Sequence, residues 1–406
     1  MAKVITDKKK IDELLTRGVE EILPEQKELR DKLLSGKQLR IKLGIDPTSP
    51  HLHIGRSIPL LKLRDFQELG HKIILIIGDA TGVVGDTSDK ESERPMLSKE
   101  QINKNLKAYA EQAGKILDMD KVELRRNSEW LNKLRYAEIG EHADVFSVAD
   151  FIARDNIKRR INAGKRVSLR EVLYPLMQGY DSVAIEADVE LGGTDQRFNL
   201  LAGRELQRAY KQEPQSVVMT GLINGLDGRK MSSSWGNTVN ILDQPIEMYG
   251  KIMSMHDDLL MDYFIYCTRI PMKEVQGYQK QLDKGANPRD IKKDLARIIT
   301  AMYHSEEIAQ EAQTHWETQF SQGGVPKDIP EHLIESPVEI MDLLKHTGLV
   351  KSGSEARRKL DEGAVQLDGK KVKKIKIKLS REQLEKGVVL KLGRKMLRIK
   401  IKKKEE

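Results

Sequence analysis

The pattern of apolar and polar positions changes its period twice between residues 41 and 77. The apolar run at 41–45 is stopped by two prolines and Ser49, which predicts a strand that leads into a loop. After Gly55 the apolar residues recur at helical spacing until Gly70 closes the helix, and a second apolar run follows at 73–77. Strand, loop, helix and strand in this order predict a βαβ unit.

Helical and extended patterns alternate along much of the remaining chain. Short strands are predicted at the start of 188–199, where a glycine-rich loop then leads into a helix, and at 215–223. This alternation predicts an α/β fold, in which ligands bind at the loops that follow the strands. Helical patterns occur at 7–36, at 99–135, in a charged continuation to about Arg170, and in a helix that begins near Leu169.

The last part of the chain has a different organisation. From residue 244 to about 327 no strand is predicted and helical patterns dominate. Gly323, Gly324 and the prolines up to Pro337 then predict a linker. Beyond the linker the pattern indicates a small α/β unit, with predicted elements at 340–344, 354–362, 364–367 and 388–401.

Composition narrows the class of protein. A chain of 406 residues predicts two or three domains, and a net charge of +8 favours a polyanionic partner. The single cysteine, Cys267, excludes a disulfide framework or a cysteine-rich zinc site and fits a reducing compartment. The first residues lack the apolar core of a secretory signal, and no run of about 18 apolar residues occurs. We therefore expect a cytoplasmic protein without a membrane span.

The loop that opens the first predicted helix is a candidate nucleotide site. A helix N-terminus carries unpaired N–H groups and a partial positive charge, so its natural ligand is an anion such as phosphate. The loop glycines do not follow the dinucleotide fingerprint and no P-loop motif occurs, which disfavours a dehydrogenase or a P-loop enzyme. The loop instead offers His51, His53 and Arg56 as donors. Solvated loop residues are the alternative, most strongly for His51.

A second loop, at 78–94, follows the second predicted strand. Its glycines allow a close approach of the backbone to a ligand, and Asp86 is placed to meet a cation or an ammonium group. Lys90 and Arg94 lie in its polar tail and could bind phosphate. A solvated turn explains these residues equally well.

The helix that begins near Leu169 carries an unusual polar stripe. Tyr174, Gln178 and Asp181 stand at positions i, i+4 and i+7, which places a phenol, an amide and a carboxylate on one face. A solvated face usually holds Lys and Glu, so this composition fits a lined pocket better than a water-facing surface, which is the alternative.

Two basic segments complete the set of candidate binding residues. The loop at 224–237 has glycine hinges and the adjacent Arg229 and Lys230, so it could close over a charged leaving group, or be an ordinary basic turn. The C-terminal unit carries a cluster that suits a phosphate backbone, with a solvated basic face as the alternative. This cluster comprises Arg357, Arg358, Lys359, Lys370 and Lys371.

Taken together, these segments resemble class I aminoacyl-tRNA synthetases, and among them the bacterial-type tyrosyl-tRNA synthetase family, over nearly the whole chain. The residues His53-Ile-Gly-Arg56 resemble the HIGH element, and Lys230-Met-Ser-Ser-Ser234 resemble the KMSKS loop. Each motif alone is weakly specific, but their order, with Gly-Gly-Thr-Asp-Gln between them and an RNA-binding tail of the S-four type, is strongly specific.

The resemblance implies a domain plan. A Rossmann-like doubly wound parallel sheet forms the catalytic domain at 1–238, with a helical insertion at about 99–170. A helical domain that binds the anticodon arm follows at 239–328. A linker at 329–338 then leads to a small α+β RNA-binding domain at 339–406.

The resemblance also implies roles for particular residues. Asp181 accepts a hydrogen bond from the tyrosine phenol, while Tyr174, Gln178 and Asp86 meet the α-ammonium group. Lys42 stands where many relatives have a tyrosine that contacts the substrate phenol. The other tyrosine-pocket positions are Asp46 and Gln196. Donors to the ATP phosphates are Thr48, His53, Lys90, Arg94 and Lys230, and the nucleotide site further includes Gly55, Arg56, Asp195, Leu222, Ile223, Met231 and Ser233.

The implied reaction is tyrosine activation by ATP, which brings Mg²⁺ with it, followed by transfer to tRNA(Tyr). No metal held tightly by the protein is expected. A homodimer is also implied, and the apolar residues at 146–152 indicate a packed or self-association surface. Two departures from the motifs, Arg56 and Ser233, leave a catalytically weakened RNA-binding protein as an alternative. A related ligase for tryptophan or another amino acid is less favoured, because Asp181 would face an apolar ring.

Overall fold

The computed structural model describes residues 3–47, 50–85, 99–232, 235–320, 330–350, 352–372, 377–393 and 395–402. The chain divides into two compact units, Met1–Ala309 and Gln310–Glu406. In the described part, the strands are β1 (Val19–Leu23), β2 (Arg40–Ile45), β3 (Lys72–Ile77), β4 (Val122–Arg126), β5 (Val189–Gly193), β6 (Ser216–Thr220), β7 (Glu331–Ile334), β8 (Val365–Leu367), β9 (Lys370–Lys371), β10 (Val388–Leu392) and β11 (Lys395–Ile401).

Helices occupy most of the remaining described chain. None of those described is both long and apolar enough to span a membrane. They are α1 (Lys8–Thr16), α2 (Gln26–Leu34), α3 (Ile54–Glu68), α4 (Thr81–Val84), α5 (Lys99–Ala113), α6 (Ser128–Leu131), α7 (Tyr136–Asp144), α8 (Val148–Ile152), α9 (Asp155–Asn162), α10 (Leu169–Ala184), α11 (Arg197–Ala209), α12 (Pro245–Met253), α13 (Leu260–Cys267), α14 (Met272–Asp283), α15 (Pro288–Tyr303), α16 (Glu306–Phe320), α17 (Ile340–His346), α18 (Gly353–Asp361) and α19 (Arg381–Lys386).

A six-stranded sheet among the described residues forms the centre of the first unit, in the order β1-β6-β5-β2-β3-β4. All neighbouring strands run parallel except β1, which pairs antiparallel with β6. The predicted βαβ unit is confirmed as β2, α3 and β3. Residues 73–77 of β3 are buried because helices cover both faces of a parallel sheet.

The strand order fixes where a ligand can enter. From β2 the chain continues outward on one side through β3 and β4, and it later returns to place β5 and β6 on the other side. The order therefore reverses between β2 and β5, and the loops after these strands diverge to open a crevice. The predicted doubly wound parallel sheet is confirmed.

Two predictions of continuous helix are wrong, at 7–36 and at 99–135. In the first segment Gly18, at a φ of +61°, ends the helical region and β1 follows. In the second, β4 separates α5 from α6. Both strands lie at the edges of the sheet and are only partly buried, so their sequences lack the continuous apolar run of a central strand.

The second unit has its own sheet and core. Its strands follow the order β7-β11-β10-β8-β9, and all pairs are antiparallel except β7 with β11. Leu343, Leu360 and Leu390 are fully buried in its centre. Residues Glu331–Ile334 of the predicted linker form β7 and belong to this sheet. The two compact units do not divide the chain at residue 238. The boundary between a catalytic domain and a helical domain at that residue stays a prediction.

Candidate active site

A cavity of about 260 Å³ lies at the carboxyl ends of the parallel strands, where the strand order reverses. The ends of all five parallel strands contribute to its wall, and α3 and α10 close its sides. The lining residues include Ile45 and Asp46 after β2, Gly78 after β3, Asn127 after β4, Gly193 at the end of β5, and Thr220, Gly221 and Leu222 at and after the end of β6.

One side of the cavity is a hydrogen-bonded wall built on Asp46. The hydroxyl of Tyr174 donates to Asp46 Oδ2 at 2.9 Å, and Thr81 Oγ1 donates to Asp46 Oδ1 at 2.8 Å. Asn127 Nδ2 in turn donates to Thr81 Oγ1 at 3.0 Å. Because the Tyr174 proton is engaged by Asp46, the phenolic oxygen can accept a hydrogen bond from a cationic ligand.

Asp181 is a buried carboxyl group on the same helix as Tyr174. Only 3% of the residue is exposed. Trp130 Nε1 donates to its Oδ1 at 2.7 Å and Asn127 Nδ2 to its Oδ2 at 3.4 Å. Burial raises the pKa of Asp181 from 3.8 to about 7, against the opposing effect of the Lys42 charge. The two donors fix the position of the Asp181 carboxyl group, which lines the cavity and can accept a hydrogen bond from a ligand there.

His53 is the residue just before α3, and its imidazole ring is neutral at pH 7. Its Nδ1 accepts the backbone N–H of Arg56 at 3.3 Å, so the side chain caps the helix. Burial, with the nearby Arg56 charge, lowers the pKa of His53 to about 4. Since Nδ1 is an acceptor in a neutral ring, the proton is on Nε2, which is therefore a hydrogen-bond donor.

The helix α5 holds the loop before His53 in place. Asn105 Nδ2 donates to the carbonyl of Pro47 at 2.8 Å, and Gln112 Nε2 donates to that of Pro50 at 2.8 Å. The Leu52 N–H donates to Gln112 Oε1 at 2.9 Å. Two amide side chains thus satisfy the backbone groups of an otherwise irregular loop.

The loop at 224–237 lies against the start of α3. A Cβ at Gly55 would stand 2.8 Å from Met231 Sδ and 3.2 Å from His53 Nδ1, so glycine allows this close approach. The backbone just after this loop also contacts the start of α3, because Ile54 N–H donates to the Val239 carbonyl at 2.9 Å. The turn at Gly55 and the loop at 224–237 are far apart in the sequence, but they are neighbours in the structure.

A buried asparagine organises that loop. Asn237 Nδ2 donates to Asp227 Oδ1 at 2.8 Å and to the Lys230 carbonyl at 3.1 Å, while its Oδ1 accepts from Ser232 N–H at 2.8 Å. The guanidinium of Arg229 lies 4.9 Å from the centre of the Trp235 ring. The side chain of Lys230 is exposed at the surface of this loop.

Known proteins carry the same arrangement of segments. The family model for class I tRNA synthetases (W and Y) matches residues 34–321, and that for the tyrosine–tRNA ligase SYY-like C-terminal domain matches residues 319–398. The chain is 47% identical to tyrosine–tRNA ligase 2 of Vibrio cholerae, covering 89% of this chain and 92% of that protein. It is 48% identical to tyrosine–tRNA ligase of Moorella thermoacetica, covering 88% of each. The chain belongs to the tyrosine–tRNA ligase family.

A solved structure agrees with this family at the level of the fold. The tyrosyl-tRNA synthetase of Archaeoglobus fulgidus, solved with L-tyrosine, is 22% identical and superposes with a TM-score of 0.61. The match covers 76% of this chain and all of that one, 100%. The predicted family resemblance is confirmed.

Among the predicted site residues that the structure describes, most line one cavity. His53 and Met231 lie beside the Gly55 turn, and Lys230 lies in the loop next to it. Thr48, Asp86, Lys90, Arg94 and Ser233 fall outside the described residues. The predicted residues that line the cavity are Asp46, Gly55, Arg56, Tyr174, Gln178, Asp181, Asp195, Gln196 and Leu222.

Two predicted positions lie elsewhere. Ile223 is 7% exposed and is not part of the lining, whereas its neighbour Leu222 is. Lys42 was predicted at the substrate phenol, but its side chain is fully buried beneath α10 and its ammonium group pairs with Glu190 at 2.9 Å. A lysine at this position thus reaches past the cavity wall into the protein interior.

Several of the described residues at the site were not predicted from the sequence, among them four that support or line it. Asn127 and Trp130 support Asp181 from the end of β4 and from α6, and Tyr109 lines the cavity from α5. Glu190 binds Lys42 in the middle of β5. The sequence pattern gave little indication of the first three residues. Glu190 could have been identified, because a glutamate within a central strand requires a buried partner.

The C-terminal basic residues are all in the second unit. Arg357 and Arg358 are exposed on α18, and Lys359 pairs with Glu362 at 2.8 Å. Lys370 and Lys371 form the exposed edge strand β9. Among the described residues, no group of three His, Cys, Asp or Glu side chains comes together as a metal site.

Proposed function

We propose that this chain activates L-tyrosine with ATP, which gives tyrosyl-adenylate and pyrophosphate, and then transfers tyrosine to the 3′ end of tRNA(Tyr). The observation that carries the proposal is the placement of Asp181. A buried carboxyl group, supported by Trp130 and Asn127, shares one cavity with the Gly55 and Arg56 turn at the start of α3. One cavity can therefore hold a phenol and a nucleotide phosphate at once.

The tyrosine end of the cavity positions the substrate. Asp181 would accept a hydrogen bond from the phenolic hydroxyl group, and Tyr174 with Gln178 would accept hydrogen bonds from the α-ammonium group, joined by Asp86. Gln196 and Asp46 contribute to the same wall. Held in this way, the substrate carboxylate attacks the α-phosphorus of ATP directly, and no protein nucleophile is required.

The nucleotide end would stabilise charge on the phosphates. The Nε2–H of His53 and the ammonium group of Lys230 would be donors to these phosphates, and Thr48, Lys90 and Arg94 are proposed to join them. Mg²⁺ enters with ATP as part of the substrate. Asp195 would meet the ribose and Leu222 the adenine, since both line the cavity beside Gly193.

Exchange of pyrophosphate into ATP that depends on tyrosine tests this function. Exchange with tyrosine, and none with tryptophan, is the expected result. A catalytically weakened RNA-binding protein, which Arg56 and Ser233 left open, would bind tRNA without any exchange above background.

The raised pKa of Asp181 predicts that tyrosine binding strengthens with pH. At pH 6 this carboxyl group is mostly protonated and is only a weak acceptor for the phenolic O–H, whereas at pH 8 it is mostly ionised and accepts a stronger, charge-assisted hydrogen bond. The affinity for tyrosine should therefore rise about tenfold between pH 6 and pH 8. Tryptophan fluorescence can measure this binding, because Trp130 contacts Asp181.

A matched control for the pH experiment is Asp262→Asn. Burial also raises the pKa of Asp262, but this carboxyl group is on α13 and does not line the cavity. The variant should keep the pH profile, while Asp181→Asn should flatten it. A wild-type profile that is flat over this range would contradict the assignment of Asp181.

We infer that the second unit binds tRNA through its basic cluster. The charges of Arg357 and Lys371 are exposed on α18 and β9. Replacing both by alanine should weaken tRNA binding and reduce the slope of log affinity against log salt by about 1 to 2, since each contact with a phosphate releases counterions. Lys386→Ala, which removes an exposed charge already paired with Glu382, is the control. An unchanged slope of log affinity against log salt would show that tRNA does not bind at this basic cluster.

We also propose a cytoplasmic homodimer. Within α8, Phe151 is buried against Phe146 and Phe198, whereas Val148 and Ile152 are 71% and 45% exposed. Leu169 at the start of α10 is 80% exposed. Such exposed apolar side chains support the predicted self-association surface.

A further inference from the structure

Lys42 and Glu190 form the centre of a fully buried polar cluster beneath α10. Their side chains are 0% and 1% exposed, and Lys42 Nζ lies 2.9 Å from Glu190 Oε1. The same ammonium group donates to the Gln178 carbonyl at 2.9 Å and to Ser182 Oγ at 2.8 Å. All three of its protons therefore have acceptors, and two of these acceptors belong to the turn of α10 that carries Asp181.

The carboxylate of Glu190 is equally well satisfied. It accepts from Gln178 Nε2 at 3.1 Å, from Ser182 Oγ at 3.2 Å and from Gln215 Nε2, in addition to Lys42. A Cβ at Gly203 of α11 would stand 2.6 Å from Gln215 Nε2 and 2.8 Å from Ser182 Oγ. The neighbouring helix thus leaves just enough room for these donors.

The cluster determines which way the Gln178 amide points. A carboxylate can only accept hydrogen bonds, so Gln178 must turn its NH₂ group toward Glu190. The amide oxygen is then the atom left for a ligand in the cavity, which Gln178 lines. An oxygen there suits an ammonium group, whereas the opposite orientation would present N–H groups and repel it.

A purely structural purpose explains this arrangement poorly. A buried ion pair contributes little to stability, and apolar residues of similar size at the same positions are often neutral or stabilising. The pair at 42 and 190 instead makes every one of its contacts to α10 through Gln178 and Ser182, on either side of Asp181.

We propose that Lys42 and Glu190 are positioning residues for the substrate ammonium group, because they lock the Gln178 amide with its oxygen toward the cavity. This inference rests on the proposed tyrosine-activating function. It predicts that the pair affects ligands that carry an ammonium group and spares those that lack one.

Three ligands separate this role from a general effect on folding. Tyrosine and tyramine carry the ammonium group, and 3-(4-hydroxyphenyl)propionate keeps the phenol without it. In Glu190→Gln, residue 190 can also donate to the Gln178 oxygen, so the amide orientation is no longer fixed. The Kd values of tyrosine and tyramine should rise about tenfold or more, and that of the propionate should change less than about twofold.

The matched control is Glu171→Gln. Glu171 is a buried carboxylate on the same helix, paired with Arg160 and 2% exposed, but it does not line the cavity or contact Gln178. This variant should leave the ratio of the three affinities at its wild-type value. The double variant Lys42→Met with Glu190→Gln removes both charges and should fold without an unpaired buried ion. Because the two charges also act on the pKa of Asp181, the readout is the ratio of the Kd of tyrosine to that of the propionate, which should rise as in Glu190→Gln.

The outcomes distinguish this inference from the proposed function. If the wild-type protein binds none of the three ligands and shows no exchange with tyrosine, the proposed function fails. If the wild type is active but both variants weaken all three ligands equally, or none of them, the positioning role alone is wrong.

Discussion

Replacement of Asp181 by leucine is expected to abolish the preference for tyrosine over phenylalanine. When phenylalanine binds, the buried carboxyl group of Asp181 keeps Trp130 and Asn127 as donors but lacks the phenolic donor on its cavity side, which disfavours that ligand strongly. In tyrosine-specific members of this family the preference is about 10⁴ to 10⁵ in kcat/KM, a value taken from the family as a whole. Leucine has a similar shape but no acceptor, so the ratio should fall to within about tenfold of unity.

The measurement is the ratio of kcat/KM values for tyrosine and phenylalanine in pyrophosphate exchange. The supporting donors complicate the variant, because Trp130 Nε1 loses its acceptor. Trp130→Phe combined with Asp181→Leu removes that unpaired donor and should show the same ratio. Asp262→Asn serves again as a carboxyl control that should keep full selectivity. A preference above about 10³ in the leucine variants would show that another group reads the phenol.

The parts of this site that were predictable from the sequence lie within single elements. Tyr174, Gln178 and Asp181 occupy one helix, so their spacing alone places them on one face. Their partners come from distant segments. Asn127 and Trp130 meet Asp181 only because β4 pairs with β3, and β4 was not predicted. No local pattern could have supplied that contact.

The fold shows the same division between local and distant information. The central strands are mostly buried; β3 and β6 have apolar runs at their centres that predict them, whereas β2 and β5 carry the buried charges Lys42 and Glu190 among their apolar residues. The edge strands β1 and β4 contain charged residues among their apolar ones, and the segments around them also have helical periodicity. Their conformation is set by pairing with the sheet, which overrides local preference.

Lys42 illustrates why a resemblance can place a residue correctly and still misassign its contacts. The position on β2 is next to the cavity, but a lysine side chain is long enough to pass behind the wall. It reaches Glu190 on β5 and the turn of α10. Only the presence of Glu190 beside it makes this burial possible, because an unpaired ammonium group would be too unfavourable.

The second large effect is expected at His53, where two substitutions should separate catalysis from stability. Asparagine at a helix N-terminus keeps an acceptor for the Arg56 N–H, as the imidazole Nδ1 does now, but it cannot reach the position of Nε2. His53→Asn should therefore keep its Tm within a few degrees of wild type. Its rate of adenylate formation should fall about 10² to 10³, the usual effect of losing one donor to developing charge.

His53→Gln should behave in the opposite way, because its amide nitrogen can occupy the place of Nε2 while the cap to Arg56 is lost. Its rate should stay within about tenfold of wild type, and its free energy of unfolding should drop by about 1 kcal/mol. Single-turnover formation of the adenylate and thermal unfolding measure the two quantities independently. Since the pKa of His53 is about 4, its contribution to the rate should not vary between pH 6 and pH 8. Equal rates in the asparagine and wild-type proteins would show that His53 serves α3 as a cap and leaves the phosphate charge to other donors.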